Sequence, residues 1–138
     1  VQAQPDEAGA WLLLARAAIG MSDLPTTRRC IAALRRLRPG EGQVSLIEGY
    51  VSWKQGDLPA AERALVAALT ADPRDSLALC LMGEVLSQDG RIEAACQHFR
   101  RALQIEPTCR WAKLRLSELE PQRGPLAPGQ RRVLGNTP

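Results

Sequence analysis

The chain has 138 residues, of which 45% are apolar and 24% charged, with a formal net charge of +3 at pH 7. These totals suit one globular domain or a short run of stacked repeats, and so small a charge does not by itself imply a polyanionic partner. Aromatics at 4%, a single Asn and few Val or Thr turn the composition away from a β-rich fold, and no apolar run nears the roughly 20 residues of a membrane span, because Arg16 interrupts the longest.

In chain order, residues 1–5 end on Pro5 and read as the last turn of a preceding helix. Residues 6–39 place Trp11, Leu14, Ala15 and Ala18 on one helix and Ile31 and Leu34 on a second, closed by Pro39. Residues 40–73 repeat the plan with Gly49, Gly56, Ala61, Leu65, Ala68 and Pro73. Their first helix departs from it, since Ser45, Glu48 and Ser52 stand where large apolar residues are expected. A buried unpaired carboxylate is too costly, so Glu48 is expected to pair with an Arg such as Arg35 or to stay partly exposed.

Residues 74–107 show the unit most clearly. Leu79, Met82, Gly83 and Leu86 form the stripe of an amphipathic helix, and Asp89-Gly90 ends it. Ile92, Ala95, Phe99, Ala102 and Leu103 share one side of a second helix that stops before Pro107. The small Gly83 and Ala95 suit a close approach of the two helix axes. Residues 108–120 begin a fourth unit without a second helix and are more polar, as a cap on a stack is. Residues 121–138 hold four prolines and three glycines with no helical period, the composition of a disordered tail.

The units share one register. Pro5, Pro39, Pro73 and Pro107 lie 34 residues apart, as do Gly49 and Gly83, Gly56 and Gly90, Ala61 and Ala95, and Ala68 and Ala102. This period and these columns resemble the tetratricopeptide repeat (TPR) family over about residues 1 to 119. The resemblance implies an all-α, right-handed α-solenoid of antiparallel helix hairpins, with three repeats (6–39, 40–73 and 74–107) and a C-terminal capping helix. It also implies a protein-binding scaffold or adaptor that receives a peptide or helical segment of another protein in a concave groove lined by the first helices. In this chain those groove positions are Leu12, Arg16, Ile19, Leu46, Tyr50, Trp53, Lys54, Cys80, Glu84 and Leu114, with Ser87 and Trp111 beside them. Tyr50 and Trp53 form either an aromatic anchor for the partner or, if Trp53 turns inward beside Ser45 and Ser52, part of the core. Trp11 falls in a core column. Some co-chaperones of the family clamp a C-terminal carboxylate with Lys, Asn and Arg at the positions of Leu12, Arg16, Ile47, Leu77 and Leu81. Only Arg16 is cationic here, which favours a more apolar ligand.

Chemistry is sparse. There is no phosphate loop, nucleophile elbow or zinc-helix motif, and the acidic residues are not paired for acid–base work. No catalytic residue, cofactor, metal or small-molecule substrate is expected, and His98 reads as a polar helix residue. Cys30, Cys80, Cys96 and Cys109 form no Cys-x-x-Cys pair and read as small buried residues, which favours a reducing compartment such as the cytoplasm. Sixteen of the eighteen basic residues are Arg, which with abundant Ala points to a GC-rich bacterial genome. Arg28, Arg29, Arg35, Arg36 and Arg38 crowd one helix. This cluster reads as a solvated convex face or a docking site for an acidic protein surface. Nucleic acid is an unfavoured partner because no aromatics interleave to stack bases. Two further readings remain beside the adaptor: a structural or oligomerisation arm of a larger multi-repeat protein, using its N-terminal edge, and a basic RNA-associated module.

Overall fold

The computed structural model describes residues 7–37 and 41–122. Expectations for segments 1–5 and 123–138 and for Pro39 lie outside the described residues. Among the described residues, seven α-helices follow one another: α1 (Glu7–Gly20), α2 (Leu24–Leu37), α3 (Glu41–Lys54), α4 (Leu58–Ala71), α5 (Ser76–Gln88), α6 (Ile92–Ile105) and α7 (Arg110–Leu119). A single 3-10 turn, Glu120–Gln122, continues α7 into the first two residues that the composition assigns to the tail. There is no strand among the described residues, and none of their helices is long and apolar enough to cross a membrane.

The sequence period reappears as geometry. Helices α2, α4 and α6 begin at residues 24, 58 and 92, spaced by 34. Each pairs most extensively with the helix before it, giving the hairpins α1/α2, α3/α4 and α5/α6. Successive hairpins meet through α2 on α3, α4 on α5 and α6 on α7, and the first helices touch along α1–α3–α5. The chain is therefore an all-α solenoid of helix hairpins that α7 closes at its C-terminal end.

Local chemistry explains the helix starts and turns. Asp23 accepts from Thr26 N at 3.1 Å, and Asp57, one period later, accepts from Ala60 N at 3.1 Å. Each thereby satisfies a donor that the first turn leaves unpaired. Pro25 and Pro59 follow directly, in the first turn, where a missing N–H costs nothing. Arg91 holds the third place in this column and caps α6 without a side-chain bond. Gly56 and Gly90 take the left-handed turn at φ 83° and 85°, and Ser22 takes it at φ 58° in the first hairpin.

The hairpins close on small residues. A Cβ on Gly83 would lie 2.6 Å from the Phe99 ring, and one on Gly49 would lie 2.7 Å from Leu65. Ala95 is fully buried in the same hairpin as Gly83, so the small pair marks the close approach expected of it. The continuous core joins Ala15, Ile31 and Leu34 to Ile47, Leu65, Leu79, Phe99 and Leu119.

Candidate protein-interaction surface

The expected groove positions fall in columns one period apart: Leu12, Leu46, Cys80 and Leu114 in one, Arg16, Tyr50 and Glu84 in a second, and Ile19 and Trp53 in a third. The structure opens the first two of these columns only towards the ends of the stack. Leu12 is half-buried and Leu114 is 58% exposed, whereas Leu46, between them, is 2% exposed and Cys80 1%. Arg16 is exposed, but Tyr50 is 1% and Glu84 8% exposed. Ile19 is also core. The reading of Ile19, Leu46, Tyr50, Cys80 and Glu84 as open groove residues is thus corrected. First helices in mid-stack are covered by neighbours on both sides, so a column that is surface on an end helix becomes interior on α3 and α5.

Tyr50 and Trp53 pack edge to face, with centroids 6.0 Å apart and planes at 61°. Trp53 is partly buried against the core, and its indole Nε1 and the Tyr50 hydroxyl are both enclosed. Burial, with the nearby Asp23 carboxylate, pushes the Tyr50 phenol up. Lys54 is exposed and holds its ammonium 4.8 Å from the Trp53 ring centroid. The pair is an inward-turned core element with a cation over it, and Lys54 and the outer part of Trp53 are what it offers to solvent.

Glu84 has a different task. It accepts from Trp111 Nε1 at 2.7 Å and from Arg115 Nε at 2.8 Å. Arg115 also donates to Ser87 Oγ at 3.2 Å and to Glu118. A buried carboxylate, the sole charged side chain of α5, is thereby neutralised across the seam to the cap. Sequence reasoning missed the link, although a Glu between Gly83 and Val85 on so apolar a helix signals that a partner must come from elsewhere.

Three of the expected residues, Leu12, Arg16 and Leu46, come together at a cleft of about 330 Å³ between α1 and α3, closed below by the end of α4. Gln43, Ile47, Ala68 and Asp72 complete most of its wall. Arg16 bridges its rim, donating from both terminal nitrogens to Asp75 at 2.9 and 2.8 Å. Burial raises the Asp75 carboxyl, but the Arg16 hydrogen bonds and charge, with the N–H groups of Ala78 and Leu77, outweigh it and leave it below the usual carboxylate value. Asp75 is also the cap of α5, so one carboxylate starts the third hairpin and ties it to the first. With Asp72 alongside, the rim has two carboxylates against one guanidinium, a net charge of −1.

A second cleft of about 510 Å³ lies between α2, α3 and α4, with Arg28, Arg35, Glu48, Ser52 and Gln55 over Ile31 and Val51. Here Glu48 meets Arg35 at 3.7 Å, the pairing expected from sequence. No aromatic side chain lines this cleft, so the arginine face has no stacking platform there. No group of three or more metal-binding side chains is found among the described residues.

Residues 46–108 match the family model described as Tetratricopeptide repeat. No curated protein gives a significant match to the chain.

Proposed function

We propose that this chain, a member of the tetratricopeptide repeat family, is an adaptor that binds a peptide or helical segment of another protein at the cleft between α1 and α3. Such repeats are generally protein-interaction modules, and the fold is one that generally performs no catalysis. The observation that supports this site is the convergence of Leu12, Arg16 and Leu46 on one concave space of about 330 Å³, within the size range of pockets that take a ligand group. Its chemistry selects the ligand: apolar walls favour an aliphatic or aromatic side chain, and the net acidic rim favours a neighbouring Lys or Arg. A free carboxylate is disfavoured, because Asp75 already occupies both terminal nitrogens of Arg16.

The test is affinity capture from a native extract with wild type beside Leu12→Arg/Gln43→Arg, after circular dichroism has established that the variant folds. A protein retained by wild type and lost by the folded variant supports the cleft. Equal retention by both, or none by either, removes it.

A second reading, the structural arm, is favoured by one specific observation. Ala10, Leu13, Leu14 and Ala17 run along α1 at helical spacing, with Met21 just beyond its end, and all are exposed, Leu13 at 71% and Met21 at 76%. One and two periods later, Ile47 and Leu81 align with Leu13 and are fully buried where α2 packs on α3 and α4 on α5. The outer face of α1 therefore suits another hairpin of the same kind, supplied in solution by a second copy. Light scattering that reports a dimer in wild type and a monomer in Leu13→Glu supports this arm. A monomeric wild type removes it.

A further inference from the structure

We propose that Cys80 and Cys109 form an oxidisable dithiol site, at which a peroxide creates a disulfide that ties the capping helix α7 to α5. The two sulfurs lie 3.8 Å apart, although 29 positions separate the residues in the chain. A disulfide needs about 2.05 Å between sulfurs, so a closure of about 1.8 Å completes the bond. Cys109 is placed to supply it. It stands at the N-cap of α7 with extended backbone, φ −68° and ψ 106°, and makes no side-chain capping bond that would hold its thiol elsewhere. Cys80 lies within α5 and is 1% exposed, whereas Cys109 is half-buried and reachable from solvent. Cys30 and Cys96 are buried on α2 and α6.

The exposure difference sets the order of events. The Cys109 thiolate takes one oxygen from hydrogen peroxide and hydroxide departs, leaving a sulfenic acid. The Cys80 sulfur then attacks the Cys109 sulfur, the S–O bond breaks, and the departing hydroxide leaves with the Cys80 proton as water. In sum, two thiols lose two electrons and two protons, and one peroxide becomes two waters. Burial, with Cys109 beside it, pushes the Cys80 thiol well up, which makes the second step slow and base-accelerated. The closed loop contains all of α6 and crosses the seam held by Glu84, Trp111 and Arg115. Oxidation therefore locks the cap to the last hairpin.

The purified chain is treated with hydrogen peroxide, blocked with an alkylating reagent, digested and mapped by mass spectrometry, at neutral pH and at about pH 8.5, the unperturbed thiol value. The expected product is one intramolecular bond between the Cys80 and Cys109 peptides, reversed by dithiothreitol and formed faster at the higher pH. Tm rises by about 5 °C or more on oxidation. Cys109→Ser, at a half-buried position that leaves the core intact, abolishes both the bond and the rise in Tm. A bond between other cysteines, or Cys109 carried to sulfinic acid with Cys80 still a free thiol, overturns the proposal.

Discussion

At the scale of single residues, polar side chains join parts of the solenoid that the repeat columns treat as independent. Glu84 is the clearest case, because it accepts from both Trp111 and Arg115 across the α5–α7 seam. Glu84→Ala strands an indole N–H and weakens the neutralisation of a guanidinium that is only 23% exposed. Hydrogen bonds to charged groups contribute about 1.5–3 kcal/mol, so urea unfolding is expected to show a loss of about 2 kcal/mol. A loss below about 0.5 kcal/mol would show the seam to rest on packing alone. Gly83 is the steric counterpart. An added methyl gains about 1 kcal/mol of helix propensity, but it meets the Phe99 ring at 2.6 Å. Overpacking costs about 1–3 kcal/mol, so Gly83→Ala is expected to be destabilising on balance, and a raised Tm would contradict the close approach. At Gly49 the facing group is the Leu65 side chain, met at 2.7 Å and fully buried, so the same change is opposed there too.

At the scale of elements, the turn between the helices of each hairpin poses one problem three times. Ser22, Gly56 and Gly90 occupy the same column and all adopt positive φ. Glycine takes that conformation freely, whereas an L side chain pays about 1–2 kcal/mol. The first hairpin therefore carries strain that the other two avoid, and Ser22→Gly is expected to stabilise the chain by about 1 kcal/mol. Gly90→Ala is expected to destabilise it by a similar amount. Thermal melts of the two variants should shift in opposite directions; shifts of the same sign would show that the turns do not share one geometry in solution. The caps follow a parallel logic. Asp23 and Asp57 start α2 and α4 with side-chain bonds, while Arg91 starts α6 without one and instead pairs with Glu62 at 2.6 Å and Asp89 at 2.9 Å. The acidic cap is replaced by two ion pairs, one to Asp89 within the same turn and one to Glu62 on the preceding hairpin.

At the scale of the molecule, the Arg16–Asp75 bridge ties the first hairpin to the start of the third over a separation of 59 residues. The Asp75 carboxyl is held below its ordinary value of 3.8. A carboxylate whose folded pKa is lowered contributes stability that is fully present above the unfolded value, about pH 4, and is lost as pH falls through the lowered folded value. Wild-type stability is therefore expected to decline on the acid side of about pH 4, with part of the decline missing in Asp75→Asn, which is less stable at neutral pH. Urea midpoints measured from neutral to acid pH decide this, and identical acid limbs in both proteins would mean that the bridge does not persist in solution. The outer face of α1 belongs to this scale too. Leu13, Leu14 and Met21 are apolar and exposed, whereas Ile47 and Leu81, one and two periods on from Leu13, are fully buried between hairpins.

The 34-residue spacing of the prolines and small residues was enough to determine the class of fold and the close approach at Gly83. These properties are local: a left-handed turn and a stripe of Leu and Ala act within one unit and recur in all three, while the glycine turn and the Asp cap of α2 and α4 each recur in two. The pairing of Glu48 with Arg35 was legible for a related reason, since a carboxylate on a mostly apolar helix has few ways to be tolerated. Only the tertiary structure decided which columns remain surface. Arg16, Tyr50 and Glu84 share a register position, yet one is a rim cation, one a core aromatic and one a buried carboxylate bound to the cap. Their differences depend on how many neighbours each helix has and on the geometry with which hairpins stack. The approach of Cys80 to Cys109 and of Arg16 to Asp75 depends on the same geometry. A repeat pattern states what each unit is, and the summed rotations between units place distant side chains together.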